Sequence, residues 1–246
     1  MGLAVTMSLR ASAGVVTAKV IANTIASTNI LVIIASVYEI SRRIDTRSAS
    51  RRSVNCWHLQ GREMKAIFVT TNDHKRREVQ EILGFELERA DLDLPEIQAI
   101  EPAEVAAEKA RAAREALGAP DLPVLVEDSG LMVDAWDGFP GALTKWLMQS
   151  VGNEGLLRML SEGGDRSARA VCVVALAEAD GTVHTFRGEV PGTVASEPRG
   201  AGGFGYDPVF VPGWSSMTYA EMGEGKNEDS HRARAFRAVR EWLKEE

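Results

Sequence analysis

Four short segments of the 246-residue sequence hold most of the side chains able to do chemistry. Thr70-Thr-Asn72-Asp-His-Lys75 sets hydroxyls, an amide and a lysine between the end of an apolar run and the start of a helical one. Backbone N–H groups at a helix start, short polar side chains and a lysine are the parts of a phosphate site. The same residues also read as an N-cap followed by a solvated lysine, and the glycines of a P-loop are absent. Val126-Glu127-Asp128-Ser129-Gly130 puts two adjacent carboxylates after a buried strand. Strand neighbours point to opposite faces, so the pair can serve one atom only if the chain turns between them. One acid of such a pair can hold Mg²⁺ while the other takes a proton from water; Asp-Ser-Gly is equally an ordinary turn sequence.

The third segment, Gly200-Ala-Gly-Gly-Phe204-Gly205-Tyr206-Asp207-Pro208, packs four glycines and two aromatics ahead of a proline. It would let backbone approach a flat ligand, offer a ring for stacking, and end in an acid that can accept from a base N–H. Otherwise it is a mobile connection. The fourth, Lys226-Asn-Glu-Asp-Ser230-His231-Arg232, leads into the last helix with cations in its first turn. Cations there oppose the helix dipole by about 0.3–1 kcal/mol, a cost that points to an anion nearby. The plain alternative is a surface helix with an Asp-Ser cap.

Periodicity supplies the elements that must position these segments. Buried strands are expected over 65–70 and 122–127, and helices over 74–84, 102–117, 153–160 and 229–244. Residues 167–179 and 182–187 read as two strands joined by a two-residue turn at Asp180-Gly181. This order predicts a mixed-sheet α/β domain over 64–246.

The composition, 45% apolar and 26% charged, excludes wholesale disorder and collagen-like or disulfide-scaffold architectures. Two cysteines, Cys56 and Cys172, give neither zinc-ligand spacing nor a disulfide framework, which fits a reducing, cytoplasmic setting. A net charge of −7 argues against a broad grip on nucleic acid. That average hides a break: residues 1–63 carry eight Lys and Arg against three acids, and the remainder carries 20 against 32. The leader's apolar run from Ile30 is too short to span a bilayer. A basic, Ser-rich, acid-poor leader resembles a transit peptide, but we read it as an upstream extension without packed structure.

Together the four segments resemble the inosine triphosphate pyrophosphatase family. The family's Thr-x-Asn-x-x-Lys is matched by Thr70, Asn72 and Lys75, and its Val-Glu-Asp-(Ser/Thr) by Val126 to Ser129. Its Gly-Phe-Gly-(Tyr/Trp)-Asp-Pro is Gly203 to Pro208, and its Ser-His-Arg is Ser230 to Arg232. Leu94-Pro-Glu96, Pro140-Gly141, Lys145-Trp146 and Thr218 to Met222 match the eukaryotic and archaeal version. About three-quarters of the chain is covered, leaving residues 1–63 unexplained.

The resemblance implies one α/β domain with a mixed, elongated central sheet flanked by helices, and two lobes with the active site between them. It implies Mg²⁺-dependent hydrolysis of ITP, dITP and XTP to the monophosphate and pyrophosphate, with Mn²⁺ as an alternative ion, in a homodimer. By similarity, Glu96 and Asp128 hold the metal, and Asp128, or the Glu127–Asp128 pair, activates water. Thr70, Asn72, Lys75 and Ser129 hold the triphosphate, with Lys109 and Lys145 reaching the phosphates. Phe204, Gly205, Tyr206, Asp207, Lys226, Ser230, His231 and Arg232 form the base site; Phe204 or Tyr206 stacks on the purine, and Arg232 or His231 donates to its 6-oxo group. Two other readings remain: a pyrophosphatase for modified pyrimidine or methylated nucleotides, and a non-catalytic nucleotide-binding module. Glu96, Glu127 and Asp128 speak against the latter, because acids beside phosphates serve a binder only with a metal between.

Overall fold

The computed structural model describes residues 4–11, 14–21, 57–59, 62–64, 66–83, 87–160 and 163–245. The chain divides into two units, residues 1–53 and 54–246. In the first, β1 (Ala4–Ala11) and β2 (Gly14–Ile21) pair antiparallel, where the sequence reading placed no packed structure. The run from Ile30 and the basic stretch after it lie outside the described residues. Among the described residues no helix is long and apolar enough to cross a membrane.

The second unit opens with β3 (Trp57–Leu59) and β4 (Arg62–Met64), an antiparallel pair. Met64 closes β4, and the buried strand expected over 65–70 is β5 (Ile67–Val69). It is followed by α1 (Asp73–Leu83), β6 (Glu88–Ala90) and α2 (Pro102–Ala116). α2 starts where the sequence says it should: Glu101 accepts from Ala103 N, and Pro102 needs no donor partner there.

β7 (Val124–Val133) runs straight through Asp128-Ser129-Gly130, so the turn that this tripeptide suggested does not form. Its continuity is imposed from outside: ten consecutive residues pair antiparallel with β9 (Ser167–Ala177). Gly130 permits this because a Cβ there would lie 1.9 Å from the Gly141 carbonyl oxygen. Gly141 belongs to β8 (Pro140–Gly141), which pairs with β7 beyond a 3₁₀ turn at Asp134–Trp136. Thr144 locks the crossing, its hydroxyl accepting from Leu131 N at 2.8 Å and donating to Gly141 O at 2.6 Å.

Next come α3 (Thr144–Ser150), which periodicity did not announce, and α4 (Gly152–Met159). β9 returns as β10 (Val183–Val194), which continues well past the expected 187. Their connection spans 178–182, with Glu178 N donating to Thr182 O and Gly181 at φ +92°, so it is a longer loop with a left-handed glycine rather than a two-residue turn. β11 (Phe210–Pro212), α5 (Tyr219–Met222), a 3₁₀ segment (Gly223–Glu228) and α6 (His231–Glu245) complete the chain.

The strands form one mixed sheet in the order β11-β10-β9-β7-β5-β6, with β8 beside β7. β5 is parallel to β6 and β7, and the remaining pairs are antiparallel. Strand alternation separates two cores. Phe68, Leu125 and Val174 pack against Val79 of α1 and Phe236 and Val239 of α6. Val69, Val126 and Val173 pack against Ala106, Ala110 and Ala113 of α2, where small residues let helix and sheet approach. A third cluster joins Leu131, Val133 and Ala170 to Leu156, Phe210 and Tyr219.

Candidate active site

A cleft of about 640 Å³ opens where β5 and β7 meet the starts of α1 and α6. Sixteen of the seventeen residues expected from the sequence line it, from Thr70 to Arg232; Ser230 does not. Ser230 is fully buried, and its hydroxyl accepts from Ala233 N at 3.1 Å, capping α6.

At the β5–α1 joint the backbone largely satisfies itself. Asn72 Oδ1 accepts from His74 N at 3.0 Å and Lys75 N at 3.1 Å, and Asn72 N donates to Thr70 Oγ1 at 3.2 Å. Those two helix-start N–H groups are thus already capped, and the lysine is the positive charge at this joint. Lys75 Nζ lies 3.0 Å from Glu127 Oε1. Burial disfavours its charge, but Glu127 and Asp128 outweigh that and raise its pKa.

On β7 the two carboxylates point to opposite faces, as an unbroken strand requires. Glu127 accepts from Arg232 Nε at 2.7 Å and Arg232 Nη2 at 3.1 Å, besides pairing with Lys75. Burial pushes its pKa up, yet Arg232 and Lys75 reverse this and hold it well below the carboxylate range. A carboxylate so engaged is a poor proton acceptor. Asp128 is the contrary case: its Oδ2 is buried without a hydrogen-bond partner, and burial, against Lys75 and Lys109, pushes its pKa up to about 6. Glu96 is hydrogen-bonded by Lys109. Burial would raise the Glu96 carboxyl, but Lys109, with Lys145 and Lys75, holds it below its ordinary value. Lys109 is therefore not a solvated face residue. Lys145 is exposed, 5.2 Å from the Trp146 ring centroid, and Trp146 is 57% exposed rather than packed in the core.

The base end is built by the glycine-rich loop and α6. Asp207 Oδ2 accepts from Phe204 N at 2.8 Å and Lys226 Nζ at 2.6 Å, so this acid folds its own loop instead of awaiting a base N–H. Gly203 is required by it, because a Cβ there would lie 2.1 Å from Asp207 Oδ2. Tyr206 is buried edge-on to Phe210, its hydroxyl 3.2 Å from His231 Nε2 and 3.4 Å from Gly130 O. Phe204, half-buried, is the less enclosed of the loop's two rings that line the cleft. Arg232 is 1% exposed, and its Nε and Nη2 bonds to Glu127 are joined by a bond to Ser129 Oγ at 3.2 Å and one from Nη1 to Glu78. Four of its five N–H donors are taken, which weakens its assignment as the 6-oxo donor. His231 is buried with Nδ1 unpartnered; burial, Arg232 and Lys226 keep its pKa well below the ordinary value, so the imidazole is neutral.

Glu78 is the functional residue that sequence reading missed. It is buried on α1 and pairs with both Arg232 and Lys226. It completes an alternating line, Lys75, Glu127, Arg232, Glu78, Lys226 and Asp207, which runs from the phosphate side to the base side. Its only local signal is its place three residues after Lys75, on the same helix face.

Residues 66–242 match the model of the Ham1 family. The chain belongs to that family. The chain is 45% identical over 185 residues to a Methanopyrus kandleri protein named dITP/XTP pyrophosphatase, covering 74% of this chain and 97% of that one. A Kluyveromyces lactis protein named inosine triphosphate pyrophosphatase is 41% identical over 185 residues, covering 72% and 94%. Among solved structures, the Staphylococcus aureus Ham1 protein superposes with a TM-score of 0.63 at 30% identity, covering 74% of this chain and 99% of that one.

All of the cleft residues named above fall within the Ham1 span. Its donor set bears on a metal. No three His, Cys, Asp or Glu side chains converge as a metal cluster among the described residues. A hard cation such as Mg²⁺ uses one or two carboxylates and takes its other ligands from water and phosphate oxygens. The orphaned Asp128 Oδ2, with Glu96 nearby in the same cleft, fits such an ion.

Proposed function

We propose that this Ham1 family chain hydrolyses non-canonical purine nucleoside triphosphates, namely ITP, dITP and XTP, to the monophosphate and pyrophosphate. The observation that carries the reading is the buried, unpartnered Asp128 Oδ2, set among lysines at one end of a cleft whose other end holds an aromatic face. Water attacks the α-phosphorus, the bond from that phosphorus to the αβ-bridging oxygen breaks, and pyrophosphate leaves. Asp128 orients the water and accepts its proton, a role suited to a buried carboxylate oxygen that has no other partner. Lys75, Lys109 and Lys145 balance charge on the tail, with Thr70, Asn72 and Ser129 as neutral partners. Glu96 and Asp128 would hold Mg²⁺ or Mn²⁺, which neutralises phosphate oxygens when bound.

Phe204 stacks on the base. His231 donates to the 6-oxo group in the tautomer that carries its proton on Nδ1, in which the Tyr206 O–H turns from Gly130 O to His231 Nε2. Adenine would set its amino donors against that N–H, leaving buried groups unpaired at about 1–3 kcal/mol. A homodimer and a cytoplasmic setting belong to the same proposal, supported by the exposed apolar Ile97, Ile100 and Trp146 and by the free, buried Cys172.

The test is pyrophosphate release by the full chain from ITP, XTP, dITP, GTP, ATP and a modified pyrimidine triphosphate, with Mg²⁺ and with chelator. Metal-dependent release confined to ITP, dITP and XTP is expected. Release from the pyrimidine alone would replace the substrate class, and no release from any would leave a binding module.

A further inference from the structure

One ring contact crosses the cleft from the phosphate side to the base side. His74, in the first turn of α1, lies against Phe204 with centroids 5.0 Å apart and planes 24° apart. Rings at that separation are stacked, and no third ring fits between them. Two cations also lie over Phe204: Lys226 Nζ at 5.2 Å from the centroid and Arg232 Cζ at 5.9 Å. Both are buried and doubly paired, Lys226 with Glu78 and Asp207, and Arg232 with Glu127 and Glu78. Withdrawing either would strand buried carboxylates. His74 is exposed, and its ring nitrogen meets Arg77 Nη2 at 3.3 Å, itself an exposed contact. Of the groups that cover Phe204, the imidazole is the one that can swing away at little cost.

We propose that His74 is an internal competitor that occupies the stacking place of the base on Phe204 in the empty enzyme and gives it up when a nucleotide binds. This rests on the reading of the cleft as a purine nucleotide site. Each base must then break the imidazole stack before forming its own, so His74 weakens all bases alike and sets KM without touching the reacting phosphate. An aromatic stack of this kind corresponds to a change in affinity of roughly two- to tenfold.

The test compares the wild type with His74→Ala and His74→Phe, using ITP turnover, titration with IMP, and inhibition by inorganic pyrophosphate. His74→Ala should lower KM for ITP and Kd for IMP by roughly two- to tenfold, with kcat unchanged. Inhibition by pyrophosphate, which has no base, should not change. His74→Phe, which keeps a ring on Phe204, should bind IMP no more tightly than the wild type. A rise in KM and Kd in His74→Ala would mean that the imidazole holds the base, and an equal shift for pyrophosphate would mean that it acts on the tail; either overturns the proposal. A wild type that hydrolyses ITP while His74→Ala leaves KM and Kd unchanged sinks this inference alone. A wild type that neither hydrolyses ITP nor binds IMP sinks the functional reading with it.

Discussion

On one face of β7 the Glu127 carboxylate accepts twice from Arg232 and pairs with Lys75; on the other, one residue along, Asp128 Oδ2 is buried with no partner. Both side chains are withdrawn from water, and burial pushes both pKa values up, yet one ends well below its ordinary value and the other near 6. What separates them is the supply of donors on each face. Toward α1 and α6 the buried charges alternate in sign until each has a partner, which makes a rigid scaffold. Toward α2, Lys109 is hydrogen-bonded to Glu96, and Asp128 is left with an open oxygen. Strand alternation thus gives two neighbouring residues opposite surroundings, one locked into a charge-balanced scaffold and the other with an oxygen left for the role proposed above.

The widest separation should come from Asp128→Asn. Loss of a positioned proton acceptor should reduce kcat by about 10²–10⁴-fold, while the fold is retained. The wild-type carboxyl moves from an ordinary 3.8 to about 6 on folding, so between those pH values the folded chain keeps a proton that the unfolded chain has lost. Stability of the metal-free protein therefore falls as pH rises through that window and stays lower above it, by up to about 3 kcal/mol. Asp128→Asn should remove this slope and be at least as stable as wild type at pH 7. Urea unfolding with chelator at pH 4 and pH 7, beside single-turnover kinetics, measures both. Full kcat in the variant would return the catalytic role to another group.

Glu127→Ala should produce the converse pattern, with stability falling first. Arg232 and Lys75 would be left buried beside an empty place, a loss of about 3–5 kcal/mol for a broken buried ion pair. The sign with pH also reverses. A carboxyl held below its ordinary 4.5 contributes stability that is present above that value and is lost as pH falls. Thermal unfolding at pH 7 is the measurement. If Glu127→Ala kept its stability but lost turnover as Asp128→Asn does, the two carboxylates would act as a unit and the contrast between the faces would collapse.

The extent to which this was readable in the sequence follows the range of the forces involved. The four joints were legible because each ends an apolar run with polar residues at helix-start or loop spacing, and the structure gathers thirteen of their fourteen expected residues in one cleft. The mixed sheet was legible from the order of strands and helices. The continuity of β7 was not, because it comes from register with β9 and from the approach of Gly141 to Gly130, both distant in sequence. Glu78 escaped for the same reason: its partners Lys226 and Arg232 lie about 150 positions away. Asp207 and Ser230 mislead in another way. Short polar side chains bond equally well to a ligand or to nearby backbone N–H groups, and only coordinates tell which they do.

Ser230 gives the smallest expected effect and the sharpest check on where the scaffold ends. It stands beside His231 and Arg232 in the motif, which suggests a ligand-binding role, but its hydroxyl caps α6 from a fully buried position. Ser230→Ala should lower stability by about 1 kcal/mol, the usual loss for a missing N-cap, and leave KM for ITP within twofold once the protein is folded. Denaturant midpoints read the first quantity, and initial rates well below the melting temperature read the second. A KM that rises tenfold with no change in midpoint would mean that the hydroxyl faces substrate, and the boundary between the charge-saturated face and the binding surface would have to move one residue toward the cleft.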